Sequence, residues 1–324
     1  MNQSPELIAT SAVTEALAQM SDVMALGQLF ADAGYECALV GGPVRDLILN
    51  RPIKDLDFTT NATPAQMIEL LTGWADTVWD IGIEFGTVGA RRGSFMAEIT
   101  TYRTEQYDEK SRKPEVAFGT SLAEDLVRRD FTINAMAVRI PELEFVDLHG
   151  GITDLLRKLI RTPREAELSF SDDPLRMMRA ARFASQLGFS PVADVIIAAT
   201  DMAERISIVS AERICDELSK LLLGQFPTAG LEILEGTNLA NYILPELPAL
   251  QLEIDEHHRH KDVYEHSLIV LQQAIELEQT HEPKCDPDLV LRLAALLHDI
   301  GKPKTRKFES AGGVSFHQIG RAHV

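Results

Sequence analysis

Two short stretches near the N-terminus decide the fold: Leu39–Asp46, which reads LVGGPVRD, and Asp55–Thr60, which reads DLDFTT. The apolar residues before Gly41 predict a strand that ends at the glycine pair, and the residues after the pair predict a helix. The second stretch predicts another strand. Because side chains two positions apart on a strand point to the same face, Asp55 and Asp57 are expected side by side. Carboxylates placed in this way can hold hard divalent cations.

The glycine pair predicts a phosphate site. Gly41 and Gly42 let backbone N–H groups approach a phosphate, and the helix that starts there adds a favourable dipole. A lone G-G or D-x-D is common in unrelated proteins. The string G-G-x-x-R-D, followed nine residues later by D-x-D-x-x-T, is much rarer. It predicts phosphoryl or nucleotidyl transfer, which employs two metal ions about 3.5–4 Å apart.

Length and composition indicate a multidomain globular protein. The 324 residues suffice for two or three domains, and 45% hydrophobic with 25% charged residues is ordinary for such proteins. The sequence contains no run of about 18 apolar residues, so it predicts no membrane span. The cysteines Cys37, Cys215 and Cys285 are far apart and form no C-x-x-C pair. They predict reduced thiols and a cytoplasmic protein.

The strong negative charge bears on any role with nucleic acid. A net charge of −18 argues against a protein that coats nucleic acid without specificity. Three local clusters of basic residues predict instead a basic groove that binds RNA selectively and with salt sensitivity. These clusters are Arg103, Lys110, Arg112 and Lys113; Arg157, Lys158, Arg161 and Arg164; and Arg176, Arg179 and Arg182.

Periodicity and turn signals predict a mixed N-terminal part and a helical remainder. One amphipathic helix is expected over residues 5–33, a second begins in the capping box at Thr63, and a charged loop covers residues 107–120. After about Thr153 the strand signals end. Asp173 is expected as the N-cap of a helix that has Pro174 at N1 and ends at Gly188. The predicted strands are 38–40, 56–58, 76–81, 87–91, 95–103 and 144–147.

Four motifs in order resemble those of the bacterial class II tRNA nucleotidyltransferase (CCA-adding) and poly(A) polymerase family. The resemblance implies an α+β fold: a polymerase-β-like nucleotidyltransferase head at 1–153, an all-α neck and body at 154–254, and a partial all-α HD-type domain at 255–324. It covers roughly residues 25 to 250. The motifs are the glycine and D-x-D stretches, RRDFTINAM (128–136), DDPLRMMRAARF (172–183) and VSAERICDELSKLL (209–222).

The resemblance also implies roles for residues of the head. Arg45 would meet the triphosphate, with a simple surface pair to Asp46 as the alternative. Glu98 fits a third carboxylate on a neighbouring strand that orients or deprotonates the attacking 3′ hydroxyl, with a pair to an arginine as its alternative. Three residues of the second motif would bind ribose or triphosphate or hydrogen-bond nearby: Arg129, Asp130 and Asn134.

Asp173 and Arg176 are three positions apart on the predicted helix, so they share a face and can hold each other in place. A carboxylate accepts from the amino group of cytosine or adenine, and a guanidinium donates to ring nitrogens and carbonyls. The pair would therefore imitate a Watson–Crick partner for C and A. Arg179 extends the same face toward a phosphate. Without the head, a helix cap with its salt-bridge partner would be the preferred interpretation.

The last part of the chain resembles the start of an HD-type metal phosphohydrolase domain. His266, His298 and Asp299 suit a second divalent metal. The final Asp of the expected ligand set is absent, because no Asp follows Asp299. The terminal sequence QIGRAHV (318–324) matches the translation of a sequencing adaptor. We therefore expect about the last six residues not to be biological.

Together with the motifs, the resemblance implies a Mg²⁺-dependent enzyme that adds C, C and A to the 3′ end of tRNA from CTP and ATP, without a template and away from membranes. The alternatives are a poly(A) polymerase, an enzyme restricted to A or CC addition, an HD-type phosphohydrolase, and an RNA-binding module with an inactive head. The intact pair Asp55 and Asp57 argues against an inactive head.

Overall fold

The computed structural model describes residues 4–53, 55–82, 86–106, 115–119, 121–251, 263–281, 286–308 and 314–316. Its contacts divide the chain into two compact units, 1–172 and 173–324. The three-part division at 153 and 254 remains a prediction. Among the described residues, no helix combines the length and the apolar character needed to cross a membrane.

The first unit is α+β, as predicted. Its elements in chain order are α1 (Pro5–Ala18), α2 (Ser21–Asp32), β1 (Cys37–Val40), α3 (Gly42–Ile48), β2 (Asp57–Thr60), α4 (Pro64–Leu71), β3 (Thr77–Gly82), β4 (Thr87–Arg92), β5 (Phe95–Thr101), β6 (Arg103–Gln106), β7 (Glu115–Phe118), α5 (Leu122–Val127), β8 (Met136–Ile140), β9 (Glu144–Asp147), α6 (Gly151–Leu156), β10 (Leu159–Ile160) and α7 (Ala166–Asp172).

Seven of these strands form one sheet in the order β3-β4-β5-β2-β1-β8-β9. The pair β2–β5 is parallel, and the other five pairs of this sheet are antiparallel. One face is apolar and almost fully buried, with Phe58, Val88 and Ile99 at most 1% exposed. The alternate residues face the other way, so the predicted site residues Asp57 and Glu98 lie on the open face.

The second unit is mostly helical. Its elements are α8 (Leu175–Leu187), β11 (Ser190–Pro191), α9 (Ala193–Asp201), α10 (Ala211–Leu222), α11 (Pro227–Gly236), α12 (Ala240–Ile243), α13 (Val263–Thr280), α14 (Leu289–Leu297), α15 (Lys302–Thr305), β12 (Arg306–Phe308) and β13 (Val314–Phe316). The last two strands form an antiparallel pair. They correct the expectation of helices alone after Thr153, because short alternating segments such as Val314–Phe316 still satisfy each other's backbone groups.

Several predicted boundaries are wrong. The helix expected over 5–33 is two helices, because the chain leaves α1 at Gln19 and α2 begins at Ser21. The strand 95–103 ends at Thr101, and β6 then pairs with β7. Four residues of the predicted loop 107–120 are therefore strand. Residues 107–114 and 120 of that loop lie outside the described residues.

A close helix contact fixes the turn that carries the second motif. The first residue of α6, Gly151, lies so near the 3₁₀ turn Thr132–Asn134 that a Cβ would come within 2.2 Å of the Thr132 carbonyl oxygen. The Thr132 hydroxyl also donates to the buried Asp154 carboxylate at 2.8 Å. Asp147 accepts from the Gly151 backbone N–H at 2.8 Å and from Ile152 at 3.0 Å, which holds the start of α6.

Candidate nucleotidyl-transfer site

The acidic part of the site is built by the parallel pair β2–β5. Their register places Asp57 directly beside Glu98, and both are exposed on the open face. Asp55 precedes the first residue of β2, which corrects its predicted place on the strand. The ladder nonetheless reaches this point, because the Glu98 amide donates to the Leu56 carbonyl at 3.0 Å. Asp57 and Glu98 thus lie side by side on the sheet, and Asp55 lies in the chain two residues before Asp57.

The electrostatics of these groups show that they act on one another. Although Asp57 and Glu98 are exposed, the surrounding sheet removes part of the water around their carboxyl groups. This partial desolvation raises the pKa of Asp57, the guanidinium of Arg129 lowers it, and the carboxylate of Asp55 raises it again. Partial desolvation also raises the pKa of Glu98, and both aspartates add to this effect. Like charges at close range disfavour ionisation, whereas a bound cation would favour it. The arrangement is a negative cluster whose oxygens suit Mg²⁺.

A basic corner adjoins the carboxylates where β1 ends. Gly41 has φ +74°, which favours glycine, and its amide donates to the Met136 carbonyl at 3.2 Å. A Cβ on Gly41 would lie 2.9 Å from Nη1 of Arg129, and one on Gly42 would lie 3.7 Å from Nη2 of Arg45. The two predicted glycines and two predicted arginines therefore meet at one turn, where the guanidiniums lie against the glycine backbone.

The guanidinium of Arg45 is held from two sides. It pairs with both carboxylate oxygens of Asp46 at 2.9 and 3.0 Å, and its Nη1 donates to the Asn134 side-chain oxygen at 2.7 Å. Asn134 in turn donates to Asp130 at 3.0 Å. The alternative pair with Asp46 thus exists, and it belongs to a network that fixes the arginine beside Gly42. Asn134 and Asp130 contact this corner through Arg45.

The sequence analysis missed Asp125, which orients the arginine pair that precedes the second motif. Its fully buried carboxylate accepts from Arg128 at 2.7 and 3.1 Å and from Arg129 at 2.9 and 3.3 Å. Burial opposes its ionisation, but the two guanidiniums outweigh this effect and lower the pKa to about 2. The sequence contained a signal for these contacts, because Arg128 and Arg129 follow Asp125 by three and four positions, as residues on one helix face do.

The predicted base-selecting residues lie at the start of α8, in the second unit. The helix begins at Leu175, so Pro174 lies before its first residue, and Asp173 caps from one position further out than expected. One Asp173 oxygen accepts from the Leu175 amide at 3.2 Å. The other accepts from Arg213 of α10 at 3.0 Å, a partner that the sequence did not predict. Arg176 is 7% exposed.

The third predicted basic cluster is not an open basic surface. Arg182 is buried and donates to Glu217 at 2.5 Å and to Gln186 at 2.8 Å. Its guanidinium also lies 4.0 Å from the centre of the Phe183 ring, and that of Arg179 lies 5.9 Å from the same ring. Arg182 therefore ties α8 to α10. Arg179, which is half-buried, retains its predicted position on the same helix.

A second cluster of metal-ligand types joins α13 to the end of α14. His266, His298 and Asp299 each place one ligand atom within 4.8 Å of the others. Nε2 of His298 lies 3.1 Å from Oδ2 of Asp299, and that of His266 lies 3.7 Å from it. The Lys302 ammonium donates to the same oxygen at 2.6 Å. The head carboxylates form no equally tight set among the described residues.

Family models match three consecutive parts of the chain. Residues 37–161 match the poly A polymerase head domain, residues 188–250 match the probable RNA and SrmB-binding site of polymerase A, and residues 263–324 match the HD domain. The fold and the site thus define a nucleotidyltransferase head followed by helical domains. The chain belongs to the family of tRNA nucleotidyltransferases and bacterial poly(A) polymerases, as the motifs predicted.

Relatives and solved structures agree with this assignment. The chain is 41% identical over 225 residues to a CCA-adding enzyme of Pediococcus pentosaceus, covering 69% of this chain and 56% of that protein. It is 45% identical over 212 residues to one of Lactiplantibacillus plantarum, covering 65% and 51%. The chain thus spans about half the length of these relatives.

Two solved structures share the fold. The Bacillus stearothermophilus CCA-adding enzyme in complex with CTP has a TM-score of 0.62 at 26% identity, covering 99% of this chain and 81% of that one. A tRNA nucleotidyltransferase with a primer tRNA and an incoming ATP analog has a TM-score of 0.66 at 26% identity, covering 84% and 75%.

We expect Asp125→Ala to lower the free energy of unfolding by about 3–5 kcal/mol, because two partly buried guanidiniums lose their counter-charge. The measurement is urea denaturation at pH 7. Glu124→Gln, an exposed neighbour on α5, should stay near wild type.

The Asp125 carboxylate should also make the free energy of unfolding depend on pH in acid. Its pKa is lower in the folded than in the unfolded chain, so its full contribution to this free energy is present above about pH 4. About 2 kcal/mol should be lost as the pH falls toward 2. Asp125→Asn should lack this component. An Asn variant with the wild-type pH dependence would contradict the role of Asp125.

Proposed function

We propose that the protein adds C, C and A to the 3′ end of an immature tRNA, with CTP and ATP as substrates. The observation that carries this proposal is the register of β2 with β5, which sets Asp57 beside Glu98 at the edge of the basic corner. The family relationship and the names of the relatives support the substrates. Because tRNA and its nucleotides are cytoplasmic, we also propose that the enzyme acts in the cytoplasm.

In the proposed reaction, the 3′ hydroxyl of the RNA attacks the α-phosphorus of the nucleoside triphosphate. A new phosphodiester bond forms, the bond to the β-phosphate oxygen breaks, and pyrophosphate leaves. Glu98 would orient the attacking hydroxyl or accept its proton, which its raised pKa favours. Arg45 and Arg129 would bind the triphosphate at the glycine turn and compensate the charge of the departing pyrophosphate.

The acidic cluster fits divalent metal, and we propose Mg²⁺. Asp57 and Asp55 supply hard oxygen ligands, and their mutual repulsion is the electrostatic condition that a cation relieves. When bound, such ions supply positive charge to the attacking and leaving oxygens. The chain itself supplies the oxygens, the guanidiniums and the geometry.

Selection of C and A would take place at α8. Asp173 would accept from the exocyclic amino group of either base, and Arg176 would donate to the neighbouring acceptor. U and G lack that amino group at the matching edge. Arg213 and the Leu175 amide each bind one Asp173 oxygen, which orients the carboxylate and leaves a lone pair on each oxygen for a base. The protein would thus select bases without a template strand.

A poly(A) polymerase and an enzyme restricted to A or CC addition share this core. The match of residues 37–161 to a poly A polymerase head domain is the observation that keeps these candidates. Incubating the protein with tRNAs that end before C74, after C74 and after C75 distinguishes them. CTP and ATP are then supplied singly, and the length of each product identifies the activity.

We expect Asp57→Ala to lower nucleotide addition by at least about a hundredfold, because the cations lose a ligand at the reacting phosphate. Asp55→Asn and Glu98→Gln should also lower the rate constant, with tRNA affinity nearly unchanged. Single-turnover addition and a filter-binding assay measure the two quantities.

The matched control is Glu144→Gln, an exposed carboxylate on β9 at the far edge of the same sheet. It should retain full activity. Incorporation near the wild-type rate by Asp57→Ala at ordinary Mg²⁺ concentration would refute the metal site.

We expect Asp173→Ala to relax discrimination against UTP and GTP, because the acceptor for the amino group is lost. Asp173→Asn keeps an oxygen for the Leu175 amide, so it preserves the cap while removing the charge. Both variants should misincorporate, because Asn replaces one carboxylate oxygen by an N–H donor whose hydrogen bond the carbonyls of U and G can accept. An equal fall with all four nucleotides in Asp173→Ala, with normal selectivity in Asp173→Asn, would show that Asp173 only caps the helix.

We propose a second, weak divalent-metal site at His266, His298 and Asp299, and with it the alternative activity of a phosphohydrolase. The three ligand atoms support the site, whereas the Lys302 ammonium occupies the same carboxylate oxygen and opposes it. Phosphoester hydrolysis is accordingly expected to be poor.

Titration of Asp57→Ala with Mn²⁺ by calorimetry should reveal this site apart from the head. In the Asp57→Ala background, we expect His298→Ala to abolish the heat of Mn²⁺ binding. In the same background, Lys302→Met should tighten Mn²⁺ binding roughly tenfold, since a competing charge is removed. His281→Ala, at an exposed histidine that follows α13, is the control. Mn²⁺ binding that survives His298→Ala would refute the assignment.

A further inference from the structure

The open face of the sheet continues past the carboxylates toward its edge strand. The registers of three strand pairs place Asp57, Glu98, Gly89 and Trp79 in one row across β2, β5, β4 and β3. Residues directly opposite each other on paired strands have side chains on the same face. Trp79 therefore shares the face of the catalytic carboxylates, although it lies 22 positions from Asp57 in the chain.

The glycine in this row allows the indole to lie across the sheet. A Cβ on Gly89 would come within 2.3 Å of Cε2, 2.5 Å of Nε1 and 2.7 Å of Cζ2 of Trp79. The ring thus covers Gly89 and extends from β3 over β4 toward Glu98. Gly89 is buried under it, while Trp79 itself is only half-buried. An aromatic surface consequently lies one strand away from the proposed general base.

The next row on the same face adds a positive charge and an apolar contact. Thr77, Arg91 and Met96 are in register across β3, β4 and β5. Arg91 is exposed and donates to the Thr77 hydroxyl at 3.4 Å, and Met96 is 57% exposed. In a chain of net charge −18, an exposed guanidinium beside an indole is suited to a phosphate next to a stacked base.

We propose that Trp79 stacks on one of the last unpaired bases of the RNA that is being extended, with Arg91 at an adjacent phosphate. This proposal rests on the proposed function. Strand order assigns the ligand: the triphosphate corner lies where β1 ends, on one side of Asp57, and Trp79 lies on the other. The attacking hydroxyl must approach from the side opposite the leaving pyrophosphate, which is the side of Glu98 and Trp79.

The chain contains two tryptophans, Trp74 and Trp79, so Trp74→Phe leaves Trp79 as the sole indole. Trp74 lies edge-on to Phe95, 6.2 Å between ring centres, and beneath the Arg92 guanidinium, and phenylalanine preserves an aromatic ring there. We expect tRNA that ends in CC, added without nucleotides, to quench the fluorescence of this variant saturably. Trp79→Phe, which retains only Trp74, should show little change.

Kinetics provide the second readout. Trp79→Leu should raise the KM for tRNA roughly 5- to 150-fold, which corresponds to the loss of one stacked base. The KM for ATP should stay constant, and Trp79→Phe should recover most of the tRNA affinity. Trp74→Leu is the matched control, because it removes the same side chain from another part of the head.

Unchanged Trp79 fluorescence in a Trp74→Phe enzyme that still adds nucleotides would overturn the stacking proposal and leave the proposed function intact. Quenching by ATP alone would also overturn it, because the ring would then face the incoming base. Failure of the unmodified protein to add any nucleotide would refute the proposed function instead. Quenching by an unpaired RNA end would in that case still support Trp79 as an RNA contact.

Discussion

The parallel pairing of β2 with β5 is the constraint on which the rest of the site depends. It places Asp57 beside Glu98, and one residue of slip would turn either carboxylate toward the buried face. The neighbouring side chains Phe58 and Ile99 are fully or almost fully buried, so apolar packing fixes this register. The site is therefore stabilised by the core on the other side of the same two strands.

Carboxylates hold several arginines of the structure in fixed positions. Asp125 orients Arg129, Asp46 and Asn134 orient Arg45, and Glu217 holds Arg182 away from solvent. Such pairing limits the loss of side-chain entropy when an anion binds. A strongly acidic chain can still carry a local group of arginines at one corner, because the net charge is an average over the whole surface.

The sequence predicted what depends on neighbouring positions, and it failed where distant segments meet. The family, the α+β head and the helical remainder followed from motifs of a few residues each, and the comparisons confirm them. Arg213 lies 40 positions from Asp173, so helical spacing could not reveal this contact. Asp125 and Arg129 have the i, i+4 spacing of a helix pair, but the sequence prediction used only the RRD motif at 128–130. The position of Trp79 requires strand registers, which composition and periodicity do not provide.

Strand order finally relates the parts of the reaction to positions across the sheet. From β1 to β3 the open face presents, in turn, the glycine turn with its arginines, the carboxylates of Asp57 and Glu98, and the indole of Trp79. This order would match that of the groups in the proposed reaction: leaving pyrophosphate, α-phosphorus, attacking hydroxyl and the base of the primer. Because Gly89 has no side chain, the indole can lie across the strand that separates it from Glu98. In the proposed reaction, the direction of chain growth would thus be set by the topology of one sheet.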